Sequence, residues 1–415
     1  MRSRADAELL DASDPLAALR EQFVVADPDL IYLDGNSLGR TPALVPERLA
    51  TLARGEWGDR LIRSWNEGWL DLPHRVGDLI GTGLLGAAPG QVVVADSTTV
   101  NLYKLAGAAL AEATRRDPAR RVIVTDRGNF PTDRYVFAGL TQQLDATVRL
   151  VDSVGDVAAA VGPDTALVSL SHVDYRSGEL ADMAAINEAA HAAGALVLWD
   201  LSHSAGAVPV DLDGTGTDLA VGCTYKYLNG GPGAPAFLYV RGGLQASLVP
   251  PIQGWFGQRD QFAMGADYDP VPGIGRFLSG TPHIAGLVCV EEGARLIAGA
   301  GMNALRAKSV AQTELTIELA DAWLAELGFR VASPREAERR GSHVALAHPD
   351  GHRISRALTE LAGVIVDFRQ PDVIRLGIAP AYTRFVDICD AVARLRDLVA
   401  SRAHETLDLA PLPVT

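Results

Sequence analysis

Cysteine is scarce in this chain: three residues among 415, Cys223, Cys289 and Cys389, far apart and without a CxxC pair. That excludes a disulfide framework and a cysteine-built zinc site, and it fits a reducing compartment. No uninterrupted apolar run approaches the roughly 18 residues that a membrane-crossing helix needs. Basic runs are missing too. Lys and Arg total 37 against 51 Asp and Glu, a net charge of −14, and no Lys/Arg run exceeds a pair. The chain therefore lacks the electrostatic footprint of a nucleic-acid binder. Gly (41) and Pro (23) are too few and too scattered for a fibrous or low-complexity protein. The first eight residues lack the apolar core of a signal peptide. What remains is an ordinary globular composition, 48% hydrophobic and 21% charged, long enough for two or three domains with ample core. The expectation is a cytoplasmic enzyme of α/β type, with no membrane and no nucleic-acid partner.

Patterning along the chain supports that class. Asp14-Pro15 reads as the start of a first helix, with Asp14 as its cap. Ile31 to Gly39 is a short apolar run ending in a turn cluster, Asp34-Gly35-Asn36-Ser37. Apolar runs at 92–94, 121–124, 165–170, 195–199 and 218–222 alternate with helical stretches at 102–113 and 183–193, the latter capped by Asp182 and stopped by Gly194. Strands that are apolar throughout, separated by helices, predict a mostly parallel sheet covered on both faces. Beyond Ala285 the pattern changes. Two long helical stretches at 282–297 and 303–327 precede four short strand-like pieces at 329–331, 343–346, 364–367 and 373–376, and a final helix runs from 385 to 398. The expected organisation is an N-terminal segment (1–50) that contributes to the small domain and the active site, a large α/β domain (51–304) and a small α+β domain (305–415).

Two segments carry the chemistry. Leu196-Val197-Leu198-Trp199-Asp200 puts a carboxylate at the carboxyl end of a buried strand, where open parallel sheets bind ligands. Val221-Gly222-Cys223-Thr224-Tyr225-Lys226 puts a lysine just past another strand, before a glycine-rich turn. Their separation matches about one strand–helix–strand crossover, so both side chains can reach one sheet edge. Singly, the aspartate reads equally well as a cap for the next turn, and a lone lysine is far more often a solvated surface group. Together they suit pyridoxal 5′-phosphate (PLP): the lysine forms the Schiff base and the carboxylate keeps the pyridine nitrogen protonated. Asp96-Ser97-Thr98-Thr99, just before a helix, offers hydroxyls and backbone N–H groups to a phosphate. Phe130, in Phe130-Pro131-Thr132-Asp133, could stack on the ring.

Tyr225-Lys226-Tyr227-Leu228-Asn229-Gly230-Gly231-Pro232-Gly233, taken with Trp199 to Gly206, resembles the kynureninase family of PLP enzymes of fold type I, the aspartate-aminotransferase-like fold. Leu33 to Gly39, Asn129 to Asp133, Gln253 to Phe256 and Arg375 to Pro380 are similar to the family's segments in the same order. The resemblance implies hydrolysis of L-kynurenine to anthranilate and L-alanine in a homodimer with shared active sites. It implies Lys226, Asp200 and Tyr225 as catalytic residues, with Lys226 holding the cofactor and moving the Cα proton and Tyr225 protonating the product carbon. His203, Phe130, Thr98, Thr99, Asp133 and Ser171 would complete the cofactor shell. Tyr225 and Trp255 would reach the phosphate, with Thr281 coming from the neighbouring subunit. Arg375 would grip the substrate α-carboxylate bidentately, Trp65 would face the aryl group, and Asn36 would join the substrate site. No metal is implied.

Three rival readings stand beside it. A cysteine desulfurase or related lyase of the same fold needs a reactive thiol in a flexible, partly exposed loop. Cys289 and Cys389 fall within helical patterns and Cys223 lies beside a strand, which is packing behaviour. A nicotinamide enzyme would rest on Gly299-Ala300-Gly301, which lacks the preceding strand that such a loop requires. A binding module reusing the fold would have no need of both Lys226 and Asp200.

Overall fold

The structure, a computed structural model, describes residues 3–407. Its first strand, β1 (Ile31–Tyr32), belongs to the C-terminal part of the molecule and is taken up there. The main sheet consists of β2 (Val92–Val94), β3 (Val122–Asp126), β4 (Thr147–Val151), β5 (Thr165–Ser171), β6 (Leu196–Asp200), β7 (Leu219–Gly222) and β8 (Phe237–Val240). Their order across the sheet is β2-β8-β7-β6-β5-β3-β4. Every pair is parallel except the two that involve β8, which runs against β7 and β2.

Both faces of this sheet are buried. Along β6, Val197 and Trp199 join one apolar cluster and Leu198 joins the other. The same alternation places Val92 and Val94 on one side and Val93 on the other. Helices Leu72–Leu84, Met183–Ala192 and Ile284–Ala300 cover the first face, and helix Thr98–Arg116 covers the second. Side chains that alternate in direction yet are all apolar are what a doubly covered sheet requires. The helices at 98–116, 183–192 and 284–300 fall where the apolar patterning predicts them. Asp182 caps its helix, accepting from the Ala185 N–H.

Four differences from the sequence reading have physical causes. Residues 4–12 form an α-helix started by a Ser3/Asp6 capping box, with Ala7 its only buried residue, so no apolar periodicity announces it. Asp14-Pro15 does not open an α-helix: Asp14 instead pairs with the buried Lys308 ammonium at 2.7 Å, and a 3-10 segment follows at Ala17–Gln22. The connection from β6 to β7 consists of turns and contains no helix. The piece at 364–367 splits at Val366 into two strands that serve different sheets.

The C-terminal strands are β9 (Arg330–Val331), β10 (His343–Ala347), β11 (Val364–Ile365), β12 (Asp367–Arg369) and β13 (Val373–Gly377). Four of them form an antiparallel sheet, β12-β13-β10-β9. β11 pairs in parallel with β1, Ile31 opposite Val364. The core beneath gathers Ala7, Ile31 and Leu33 with Leu346, Ile374, Leu376 and Ile388, so these parts of the N-terminal segment are built into the C-terminal layer, while Phe23 packs in the core of the main sheet. No described helix is long and apolar enough to cross a membrane.

Candidate active site

The carboxyl ends of the parallel strands meet along one edge. Ser171 ends β5 directly opposite Asp200, the last residue of β6, and Asp200 in turn faces Val221 near the end of β7. The chain beyond β2 and β3 enters helices at Thr98 and Pro131 at the same edge. Ser171, Asp200 and Thr98, all singled out from sequence, therefore converge by topology before any side chain is considered.

Two cavities open there and share Thr98, Thr99 and Tyr225. The inner one, about 100 Å³, is lined by Lys226, Asp200, His203, Asp133, Ser171 and Phe130 among others. The outer one, about 430 Å³, lies against the helix start at Asp96 to Thr99 and the 279–283 segment.

Lys226 follows β7 in a loop fixed by its own backbone: Asn229 N–H donates to the Lys226 carbonyl at 3.0 Å and Gly230 N–H to the Thr224 carbonyl at 2.9 Å. The turn cluster read at 34–39 packs on this loop. Gly39 N–H donates to the Tyr225 carbonyl at 2.8 Å. A Cβ at Gly39 would lie 2.3 Å from the Lys226 carbonyl oxygen, so only glycine allows this approach. Lys226 Nζ shares a 2.8 Å hydrogen bond with His203 Nε2. Burial pushes the Lys226 pKa down, opposed by Cys223 and Asp200. Burial and the neighbouring lysine push His203 well below its usual value, so its ring is neutral, and its Nδ1 has no partner.

The carboxylates divide their roles. Asp200 accepts from the Ser202 N–H at 2.8 Å through Oδ1. Asp133 is pushed well up by burial and by Asp200, and its Oδ2 is buried without a partner. Desolvation and the neighbouring Asp200 charge both favour the protonated form of Asp133. The Tyr225 phenol is pushed up by the Cys223 thiol and by burial, which keeps its proton on. Phe130 stands edge-on to Tyr175, ring centroids 5.2 Å apart.

Thr281 lines the outer cavity of its own chain beside Thr98 and Thr99. Trp255 and Trp65 line neither cavity. Both pack on Phe256, at 4.6 and 6.0 Å between ring centroids, and Trp255 is exposed. Their sequence motifs gave no sign of this, since a motif fixes chain position and not side-chain direction. Asn36 is fully buried with both amide atoms unpartnered, pressed so closely on Gly377 that a Cβ there would sit 1.7 Å from Asn36 Oδ1.

Arg375 is not the open fork expected of it. Nε donates to Asp367 Oδ1 at 2.7 Å and Nη2 to Asp367 Oδ2, so Asp367 takes the bidentate edge. Nη1 donates to the Tyr175 carbonyl and Nη2 to Ser37 Oγ at 3.3 Å. Of the five guanidinium N–H groups, one on Nη1 is left over. Asp367 and Tyr175 were not singled out from sequence, and Ser37 entered only as part of the 34–37 turn cluster. Tyr175, four residues past the end of β5, is the one that strand-end reasoning could have reached.

The three thiols are all pushed up by burial, and Cys289 donates to the Ala285 carbonyl of its own helix. None sits as a reactive thiol would.

Residues 305–395 match the family model described as the kynureninase C-terminal domain. A kynureninase of Burkholderia pseudomallei (strain 1106a) is 46% identical over 413 residues, covering 99% of each chain. A kynureninase of Pseudomonas fluorescens is 48% identical over 403 residues, 96% of each chain. Among solved structures, the apo cysteine desulfurase of Thermococcus onnurineus NA1 superposes with a TM-score of 0.76 over 97% of this chain and 99% of that one, at 20% identity. That likeness is one of fold.

Proposed function

The chain belongs to the kynureninase family, and from that membership we propose that it hydrolyses L-kynurenine to anthranilate and L-alanine with pyridoxal 5′-phosphate as its cofactor. The observation that carries the reading is the inner cavity, whose lining brings Lys226, hydrogen-bonded to His203 at 2.8 Å, together with Asp200 and Asp133. The residues present fit the cofactor. Unpartnered polar atoms on Asp133 and His203 await a ligand, and the adjoining outer cavity is rich in hydroxyls at a helix start, where an anion is favoured. Lys226 would hold the cofactor through Nζ, Asp200 its ring nitrogen and Phe130 its ring face. Thr98, Thr99 and Thr281 would hold its phosphate, with Asp133, Ser171 and His203 closing the shell.

Bound there, the cofactor supplies an electron sink for a carbanion formed beside the substrate amino group. The chain does the rest. Lys226 Nζ, whose pKa burial lowers, takes the substrate Cα proton and passes protons on. The Tyr225 hydroxyl, kept protonated, delivers a proton to the carbon that becomes the alanine side chain. Arg375 orients the substrate carboxylate through its one spare N–H and through Ser37 Oγ, which can exchange partners. Apolar side chains exposed at Trp57, Ile62, Trp255, Phe262 and Met264 support a homodimer in which a second copy covers some of them. The aryl-contact role of Trp65 and the phosphate role of Trp255 rest on that second copy. The division into residues 51–304 and 305–415, with residues 1–50 serving the smaller unit, is supported by Ala7, Ile31 and Leu33 in the smaller unit's core, while Phe23 packs in the larger one.

The test is direct. Purified protein loaded with PLP and given L-kynurenine should release anthranilate, read by fluorescence, and L-alanine in equal amounts. Absence of anthranilate, or sulfur release from L-cysteine in its place, would overturn the reading.

A further inference from the structure

Lys104 is completely buried, and nothing in the reaction above uses it. It lies early in the helix at 98–116, whose start lines the outer cavity. Its Nζ donates to Asp96 Oδ2 at 2.7 Å and to the Phe277 carbonyl at 2.6 Å. Ser279 Oγ donates to the same Asp96 oxygen at 3.2 Å. Asp96 and Ser279 are themselves part of the cavity wall.

This arrangement contains a conflict. A carboxylate stands in the wall of a cavity read as the seat of a phosphate, and like charges at such range repel. Asp96 is nevertheless held firmly. Its carbonyl accepts from the Ala236 N–H at 2.9 Å, next to β8, and its backbone adopts a left-handed φ of 52°. A buried ammonium is also costly unless paired. Burial pushes the Lys104 pKa down, and the Asp96 carboxylate is what opposes the push. Each group answers the other's cost, and the hydrogen bond to the Phe277 carbonyl ties the pair to the segment that ends in Ser279 and Thr281.

We propose that Lys104 is a positioning residue for the cofactor phosphate: from behind the cavity wall it cancels the charge of Asp96 and anchors the 277–281 segment to the helix start. The inference rests on the reading of the outer cavity as the phosphate seat. It separates two groups that chain position alone would merge, hydroxyls that touch the anion and a cation that makes their neighbourhood hospitable.

The experiment compares two probes that share ring and aldehyde and differ only in the phosphate, PLP and pyridoxal. Affinities of the cofactor-free protein are measured by visible absorbance and by quenching of tryptophan fluorescence. Wild type should prefer PLP. Lys104→Met should lose roughly ten- to a hundred-fold in PLP affinity while pyridoxal affinity holds, because the uncompensated carboxylate repels only the phosphate. Lys104→Met/Asp96→Asn should recover most of the loss. Equal weakening of both probes, or a double variant as weak as the single one, would overturn the proposal and leave Lys104 a packing residue. If Lys104→Met does not fold, Asp96→Asn alone decides: with the ammonium kept and the carboxylate removed, the preference for PLP should rise several-fold, and an unchanged or smaller preference overturns the proposal. A wild type that binds both probes alike overturns the phosphate reading of the cavity and this proposal with it. A wild type that prefers PLP, with a Lys104→Met variant that keeps the preference, overturns this proposal alone.

Discussion

Replacing Arg375 by methionine should do two separable things. Arg375 and Asp367 are both about 1% exposed and share a two-bonded contact. Removing one partner of a buried pair typically costs about 3–5 kcal/mol, because the other charge is left without compensation. Here Arg369 Nη2 remains 2.9 Å from Asp367 Oδ2, so the lower end, about 3 kcal/mol, is expected. The second effect is on substrate. Loss of a charge-assisted hydrogen bond worth roughly 1.5–3 kcal/mol should lower kcat/KM about ten- to over a hundred-fold. The double variant Arg375→Met/Asp367→Asn tells them apart. With neither charge buried alone, it should regain about 2 kcal/mol of the lost stability, while kcat/KM stays as low as in Arg375→Met. Guanidinium denaturation reads the first quantity and steady-state anthranilate release the second. If the double variant recovers kcat/KM along with stability, Arg375 serves only to hold Asp367 and the carboxylate grip lies elsewhere.

Lys226→Ala should abolish turnover and leave no borohydride-stable attachment of the cofactor; mass spectrometry finding the adduct on another lysine would refute the assignment. Asp200→Ala should lower kcat by several orders of magnitude while covalent attachment at Lys226 survives, and near-normal turnover would count against its role at the ring nitrogen. His172 is wholly buried against Trp199, and burial alone lowers its pKa to about 4. Because the unfolded chain takes up this proton first, the contribution is fully present above pH 6.5 and is lost as pH falls to 4, about 3 kcal/mol in all. His172→Gln should flatten the acid limb of a stability–pH curve by that amount, and an unchanged limb would show that other groups govern it.

What the sequence revealed of the fold and site, and what it hid, divides along physical lines. The apolar runs 165–170 and 195–199 betrayed their burial because both faces of their sheet are covered. β4 gave no such signal: it lies at the sheet edge, is mostly part-exposed, and carries Arg149, whose charge meets Asp164. β8 was overlooked as a separate short strand, and its reversed direction has no sequence signature at all. At the site, Asp200, Lys226, Thr98 and Phe130 were legible because a strand end is a place that patterning can find. Asp367 was hidden because its partner Arg375 lies across an antiparallel pairing that only the folded β12–β13 register creates. Trp65 and Trp255 show the converse, since residues recognised from their neighbours in the chain pack on Phe256 and line neither cavity.

The pairing of β1 with β11 has a consequence for how the molecule is made. Ile31 and Val364 are more than three hundred residues apart in the chain. A ribosome adding roughly 5–20 residues per second needs on the order of tens of seconds to supply the second strand after the first. During that time Ile31 and Leu33 have no core to enter, and the 34–39 turn must wait both for the Lys226 loop and, later still, for Gly377, whose carbonyl receives the Gly35 N–H at 3.1 Å. The large sheet, whose strands are complete once Val240 has emerged and whose covering helix Ile284–Ala300 follows soon after, can close around most of its two cores before the C-terminal strands are made. The start of the chain is thus among the last parts to settle, and the loop that presents Lys226 is finished from outside only when synthesis is nearly over.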